Sequence, residues 1–358
     1  MRIAFDISPL SHTPLGIGNY IRGSLSGLVE AAGGRHEIVA FAPTSLRGPS
    51  RIRAALEGID VELRTWPLPA SHAIRTLWSR AGRPFAERIL GPFDVLHFTD
   101  WMYPPQSAGV RATTIHDLVP LHHPEWCTPR TISMHSRKFE NAARTCDLVF
   151  VNSAYTGHDV EQTLGVPAER IRVAHPGVRR PFGTEGPAAD IGAPYVLTVA
   201  TLEPRKNLET LLQAHELLAD ELVLAVVGAE GWGEQPALDR PRVRRLGFVS
   251  DEELARLYRG AAAAVYPSRF EGFGIPILEA MACACPVVAS SHPSLDEASG
   301  DAAVRADPDD GAAIAAAIED AIARRDELVA LGLTHASRFT WRANGEVFLR
   351  AFEESVGT

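Results

Sequence analysis

Thirteen short apolar segments, alternating with helical sequence, constrain this chain more than any other feature. In the first half the pattern predicts strands at Arg2–Ser8, His36–Ala42, Val61–Trp66, Asp94–Phe98, Ala112–His116, Leu148–Asn152 and Ile171–Ala174. In the second half it predicts them at Tyr195–Ala200, Leu222–Val227, Val243–Phe248, Ala263–Tyr266, Pro286–Ala289 and Ala303–Ala306. Several are apolar on both faces, as parallel strands covered by helices on both sides must be. Between them the period becomes helical. Leu208, Leu211, Leu212 and Leu218 share one face, Asp251–Tyr258 reads as a short helix with Ser250 as N-cap, and Gly311–Glu327 and Trp341–Glu354 read as helices. Strand–helix alternation running twice predicts an α/β chain of two doubly wound, Rossmann-like domains. The aperiodic, Gly- and Pro-rich stretch Pro181–Pro194 is the expected linker between residues 1–180 and residues 181–340. Doubly wound sheets bind ligands at the carboxyl ends of their strands, so a central cleft between the domains is the expected site.

Composition narrows the class. A chain of 358 residues, 46% hydrophobic and 22% charged, has room for two cores and an ordinary globular balance. No apolar run reaches the roughly 18 residues that span a bilayer. The opening MRIAFDIS reads directly as a strand, without the basic and apolar regions of a signal peptide, so a cytoplasmic location is expected. Cys127, Cys146, Cys283 and Cys285 form no Cys-x-x-Cys pair and read as reduced thiols that bind nothing. Asp100, Asp309 and Asp310 read as isolated acids, and no metal is expected. Residues 1–180 carry 20 basic and 16 acidic side chains, and the remainder 15 and 28. That asymmetry fits either a first half facing an anionic partner or simple drift. No nucleic-acid partner is expected. Lys138 and Lys206 are the two lysines among 35 basic residues.

The segment richest in chemistry is Tyr266–Ser290, YPSRFEGFGIPILEAMACACPVVAS. A strand ends at Tyr266, a loop carries Glu271, Gly272 and Gly274, and Pro276 sits where proline suits a helix start. Glycines let backbone N–H groups approach a ligand, and a helix N-terminus favours phosphate. Glu271 in the loop and Glu279 one turn into the helix are acceptors suited to sugar or ribose hydroxyls. The spacing alone also fits an ordinary strand–helix turn with two surface glutamates.

Three other strand ends carry candidates. Tyr195–Asn207 (YVLTVATLEPRKN) places Glu203, Arg205 and Lys206 in a loop, and adjacent cations there can neutralise a departing diphosphate. His116 closes a first-half strand, where it is either a ligand contact or structural. PLGIGNY, residues 14–20, holds Gly16 and Gly18 after the first strand, which suggests a phosphate-closing loop, although a plain turn fits as well. On Ser71–Leu90, the residues Ile74, Leu77 and Trp78 would share a helical face ringed by Arg75, Arg80, Arg83 and Arg88. That pattern fits a face toward an anionic membrane or a lipid-diphosphate acceptor, or a helix packed on its own domain.

The stretch from Glu271 to Ala282 matches E-G-F-G-x-P-x-x-E-A-M-A and resembles the signature of the retaining glycosyltransferase family 4, of the two-domain GT-B fold. Ala284 stands where that family commonly has glycine, ahead of Pro286. The resemblance spans nearly the whole chain. It implies that the C-terminal helix, about 341–358, packs back on the first domain. It implies that Glu271 contacts the donor sugar, that Glu279 holds the ribose, that the backbone of Phe273, Gly274 and Ile275 cradles the diphosphate and sugar, and that Gly272 is also donor-binding. Lys206 matches the family's lysine in the phosphate loop, whereas Thr201 occupies the place of its arginine and Arg205 is the candidate replacement. His116 in H-D-L would lie against the donor sugar, Gly16 and Gly18 would close on the donor, and Phe248 and Val249 would meet the nucleobase. His122 and His123 are loop residues near the acceptor or surface.

The implied reaction transfers a hexose, with retention, from a nucleotide-diphosphate sugar to a hydroxyl. No cofactor is required. The H-D-L-x-P pattern is similar to mannosyltransferases of bacterial surface-polysaccharide assembly, which implies GDP-mannose first and UDP-sugars next. The acceptor would be a glycan, a lipid-linked oligosaccharide or a small molecule, with peripheral contact to an anionic inner membrane. The alternatives are a sugar-nucleotide epimerase on the same fold and a non-catalytic sugar-nucleotide-binding partner.

Overall fold

The computed structural model describes every residue except 13–15, 100, 232, 234–235 and 358. The thirteen expected strands all form, with ends displaced by at most three residues. They are β1 (Arg2–Asp6), β2 (Glu37–Ser45), β3 (Glu62–Leu68), β4 (Val95–Phe98), β5 (Val110–Ile115), β6 (Leu148–Val151), β7 (Ile171–Val173), β8 (Tyr195–Val199), β9 (Val223–Val227), β10 (Val243–Gly247), β11 (Ala263–Tyr266), β12 (Val287–Ser290) and β13 (Ala303–Ala306). The chain divides into two compact units. The first holds Met1–Pro124, Thr128–Gly177 and the chain from Thr340 on, and the second holds Glu125–Cys127 and Val178–Phe339.

The first unit is built on a parallel sheet of order β3-β2-β1-β4-β5-β6-β7. The strand order reverses between β1 and β4, where such sheets bind ligands. Every residue of β4 and β6 is buried, as the unbroken apolar run of β6 requires; in β4 the buried His97 is held by Thr114, its Nε2 2.9 Å from the Thr114 hydroxyl. The helix Trp341–Val356 belongs to this unit, and its Phe348 stacks on Phe150 at 4.0 Å. It lies against the helix Gly16–Ala32 at glycine contacts. A Cβ on Gly27 would stand 1.7 Å from the Trp341 carbonyl oxygen, so only hydrogen fits there.

The second unit is a parallel sheet of order β10-β9-β8-β11-β12-β13, reversing between β8 and β11. Ser250 caps the helix Asp251–Gly260 through the Glu253 N–H, as expected. The stretch expected to be a linker is instead packed structure. Phe182 and Ala189 are buried in this unit's core, the Ala189 N–H donates to Arg256, and Arg259 donates to the carbonyls of Gly183 and Pro187. Its Gly/Pro-rich composition reflects a chain without periodic structure, not one without contacts. Among the described residues no helix is long and apolar enough to cross a membrane.

Candidate active site

The strand reversal between β8 and β11 brings together two loops whose functional residues lie 65 and 66 positions apart. Glu271, 6% exposed, is the centre. Its Oε2 accepts from Arg205 Nη1 at 2.7 Å, and its Oε1 accepts from Lys206 Nζ at 2.5 Å and from the Tyr266 hydroxyl at 3.0 Å. Glu203 holds Arg205 from the other side, Oε1 to Nε at 2.7 Å. The Glu271 N–H donates to Ser294 Oγ at 3.0 Å, adding the loop after β12. Asn207 fixes the loop's end by donating to the carbonyls of Pro267 and Pro308, at 3.1 and 2.5 Å.

Electrostatics separates the two glutamates. Burial alone would raise Glu271, but Arg205 and Lys206 outweigh it and hold the carboxyl down to about 2. Burial and Arg205 pull Lys206 below its ordinary value, while Glu271 and Glu203 oppose that shift. Burial also raises Glu203, against Arg205. Glu279, 7% exposed on the helix Ile275–Ala282, has different neighbours. Burial raises it to about 7, opposed by Arg179, which is itself paired with Asp251. One carboxylate is thus fixed as an anion, and the other is poised to change charge near neutrality.

The turn between them is built as the sequence suggests. Gly274 is the N-cap at φ 101°, Pro276 falls in the first turn, and a Cβ on Gly274 would meet Leu295 at 2.8 Å. Phe273 is buried, with its ring 5.5 Å from Phe339, so its side chain serves the core. The helix ends in a Schellman motif, with Cys285 N–H on the Ala280 carbonyl and Ala284 N–H on that of Met281. Ala284 takes the left-handed position at φ 56°, where glycine would be unstrained. Thr201 follows β8, half-buried, and Val249 is partly buried against the core. Phe248 is 57% exposed after β10, an apolar ring left in solvent.

In the first unit, His116 directly follows β5. Its ring meets Tyr20 edge-on at 5.0 Å, and its Nε2 is buried with no hydrogen-bond partner among the described residues. Burial, with Lys138 and His135 adding positive charge, lowers it to about 3, so it is a neutral imidazole. Gly16 and Gly18 differ from expectation. Both lie in the first turn of the helix Gly16–Ala32 rather than in a loop, neither has a left-handed φ, and a Cβ on Gly16 would meet nothing within 4 Å. Of the stretch expected to close on phosphate, residues 14 and 15 lie outside the described residues, as does Asp100. The face expected on Ser71–Leu90 also divides. Trp78 and Arg75 are interior, at 3% and 5% exposure, while Leu77 is exposed, because the helix is pinned by Trp78 packing on Phe41 and Trp66. His122 pairs with Asp159 at 2.7 Å.

Tyr266, Ser294, Asn207 and Arg179 had no assigned role in the sequence reading. Tyr266 left a signal, a hydroxyl closing an apolar strand just before the glutamate loop. Ser294 and Arg179 left none, since they reach the site only through the fold.

A family model described as Glycosyltransferase Family 4 matches residues 16–180, and one described as Glycosyl transferases group 1 matches residues 193–324. The chain is 32% identical over 271 residues to O-antigen chain mannosyltransferase B of Escherichia coli, covering 69% of this chain and 71% of the relative. It is 29% identical over 265 residues to the serotype-specific mannosyltransferase WbdA of Escherichia coli, covering 66% of this chain but 32% of that longer relative. Among solved structures, Anabaena HepE in complex with UDP-glucose superposes with a TM-score of 0.70 over 99% of this chain and 100% of its own, at 17% identity, a likeness of fold. With both halves of the chain matched, two doubly wound domains and a mannosyltransferase relative at this identity, the chain belongs to glycosyltransferase family 4 and has its GT-B fold.

Proposed function

We propose that this glycosyltransferase moves mannose from GDP-mannose to a hydroxyl of a glycan acceptor, with retention at the anomeric carbon. The observation that carries the reading is the Glu271 carboxylate gripped by Arg205 and Lys206 at the reversal point of the second sheet. Glu271 is an acceptor for donor-sugar hydroxyls that also keeps two cations in place. Those cations and the N-terminus of Ile275–Ala282 act on the diphosphate as it departs. Two of the three Lys206 N–H donors are used among the described residues, by Glu271 and Tyr266. Glu279 takes the ribose, Phe248 and Val249 the base, and His116 the donor sugar. Thr201, with no charge, contacts the donor beside Arg205. The departing phosphate oxygen takes the acceptor's proton, so the acceptor attacks from the face the nucleotide leaves, with no metal and no protein base required. The mannosyltransferase names of the relatives favour mannose; UDP-glucose in the HepE complex makes a UDP-sugar the competing donor.

The test is thermal unfolding with GDP and UDP, followed by donor turnover with and without acceptor. A ligand at 100 times its Kd adds about 2.7 kcal/mol of stability. GDP should stabilise more than UDP, and nucleotide should be released only when a glycan acceptor is present, without effect of EDTA. Stabilisation by UDP alone would overturn the donor. Acceptor-free sugar isomerisation would make the protein an epimerase, and binding without turnover a non-catalytic partner.

A further inference from the structure

The hydroxyl of Tyr266, the last residue of β11, touches both charges of the central pair. The strand is Ala263, Ala264, Val265 and Tyr266, apolar but for this one side-chain oxygen. The ring belongs to the apolar core of the second unit, and the residue is 6% exposed. A ring that only filled the core would need no hydroxyl, since burying one without partners costs free energy. This hydroxyl has partners on both sides. It donates to Glu271 Oε1 at 3.0 Å and accepts from Lys206 Nζ at 3.0 Å. Lys206 Nζ is itself 2.5 Å from the same Oε1, so the three atoms close a triangle.

The phenol keeps its proton. Burial and the Glu271 charge push it well above its ordinary value of 10, against the pull of Arg205. A neutral phenol has one hydrogen to give and lone pairs with which to receive. The carboxylate takes the hydrogen, and the ammonium meets the lone pairs.

Backbone contacts hold the two side chains at this spacing. Lys206 precedes Asn207, whose Nδ2 donates at 3.1 Å to the carbonyl of Pro267, the residue after Tyr266. The Arg269 N–H donates to the Arg205 carbonyl at 2.9 Å. The loops after β8 and β11 are thus joined on both sides of the Lys206–Tyr266 contact.

The consequence falls on the ammonium. Lysine is a compact charge on a flexible four-carbon stem, with three rotatable N–H groups. A single partner leaves the group free to turn about that bond. Two partners, Glu271 and Tyr266, fix two N–H directions, and tetrahedral geometry then fixes the third. The Nζ also lies 5.2 Å from the Tyr266 ring centroid, a further restraint on the stem. The Lys206 side chain is 11% exposed, so its charge is little screened by water.

We infer that Tyr266 is a positioning residue, whose hydroxyl orients the Lys206 ammonium so that its third N–H meets the second phosphate of a nucleoside diphosphate. This rests on the phosphate role proposed for Lys206, and adds that the hydroxyl, not the core-filling ring, is what tyrosine supplies there.

The experiment is calorimetric titration of the full chain with GDP, GMP, UDP and UMP, for the parent, Tyr266→Phe, Lys206→Met and the double variant. Base and ribose are common to each pair, so the ratio of diphosphate to monophosphate affinity reads the second phosphate alone. The parent should prefer the diphosphate. Tyr266→Phe keeps the ring and removes only the oxygen. It should lower that preference about tenfold, the size of a hydrogen bond to a charged group, and leave monophosphate affinity unchanged. In the Lys206→Met background it should change the preference no further. Melting temperatures check that each variant is folded. Replacing Tyr266 by p-aminophenylalanine keeps the ring and a donor for Glu271 but gives Lys206 a poor acceptor, so it should lower the preference in the same direction, and a parent-like ratio would overturn the inference. Equal weakening of monophosphate and diphosphate by Tyr266→Phe would make the hydroxyl merely structural and overturn it too. A preference lost in Lys206→Met but kept in Tyr266→Phe would overturn the inference while the phosphate role of Lys206 stands. A parent without any diphosphate preference would overturn both.

Discussion

Lys206 Nζ lies 2.5 Å from Glu271 Oε1, so the cation expected at the leaving group and the carboxylate expected at the sugar are one buried unit. Removing either charge leaves the other uncompensated, and breaking a buried ion pair from one side costs about 3–5 kcal/mol. Glu271→Gln should lower both the melting temperature and kcat, the latter by about 10²-fold or more, with a much smaller change in nucleotide affinity. The coupling of Glu271→Gln with Lys206→Met should be large and non-additive in a double-mutant cycle. Parent-like turnover by Glu271→Gln would refute its assignment.

With the ribose role proposed for it, Glu279 would give donor binding a pH response. Its carboxyl is raised from 4.5 to about 7 by burial, so the folded chain holds this proton more tightly than the unfolded chain. Its contribution is fully present below pH 4.5 and is lost as pH rises towards 7, by about 3 kcal/mol, then is level. Glu279→Gln should flatten that slope in denaturant titrations across pH 4.5–8. A carboxylate accepts ribose hydroxyls better than a neutral acid, so donor binding should strengthen through pH 7 and release a proton. Calorimetry in buffers of different ionisation enthalpy measures that release.

Glu271 has the opposite sign. Its carboxyl lies near 2 in the fold against 4.5 ordinarily, so it stabilises the chain above pH 4.5, and the contribution is lost as pH falls through 2. Acid unfolding of the parent should therefore be steeper between pH 4.5 and 2 than that of Glu271→Gln.

Ala284 carries strain that glycine would release. A left-handed residue with a Cβ costs about 1–2 kcal/mol, and Ala284 closes its Schellman motif at φ 56°. Ala284→Gly should raise the melting temperature by a few degrees and leave donor KM unchanged. No gain on thermal unfolding would show that the strain is relieved elsewhere.

Two glycines of one helix should respond oppositely. Gly27→Ala drives a methyl into the Trp341 carbonyl, so the two helices must separate, at a cost of about 1–3 kcal/mol or more. Gly16→Ala meets open space in the first helical turn and should be neutral or stabilising by up to about 1 kcal/mol. Melting temperatures of the two variants decide this.

The sequence by itself determined the elements, because strand and helix periodicity, caps such as Ser250 and the Glu271–Pro276 turn are local properties of the chain. It also marked Lys206 and the two glutamates as site candidates. What it could not determine was who meets whom. Strand order, not spacing, sets β8 beside β11 and so gives Glu271 its cations, and sets β12 beside β11 and so gives it Ser294. Burial, a property of the packed molecule, drives the two glutamates' proton affinities apart. The same packing buried Arg75, one of the arginines around the Ser71–Leu90 face, and placed Gly16 and Gly18 in a helix instead of a loop. Local patterns specify local conformation, whereas charge, exposure and partnership depend on neighbours far along the chain that only the folded sheets bring near.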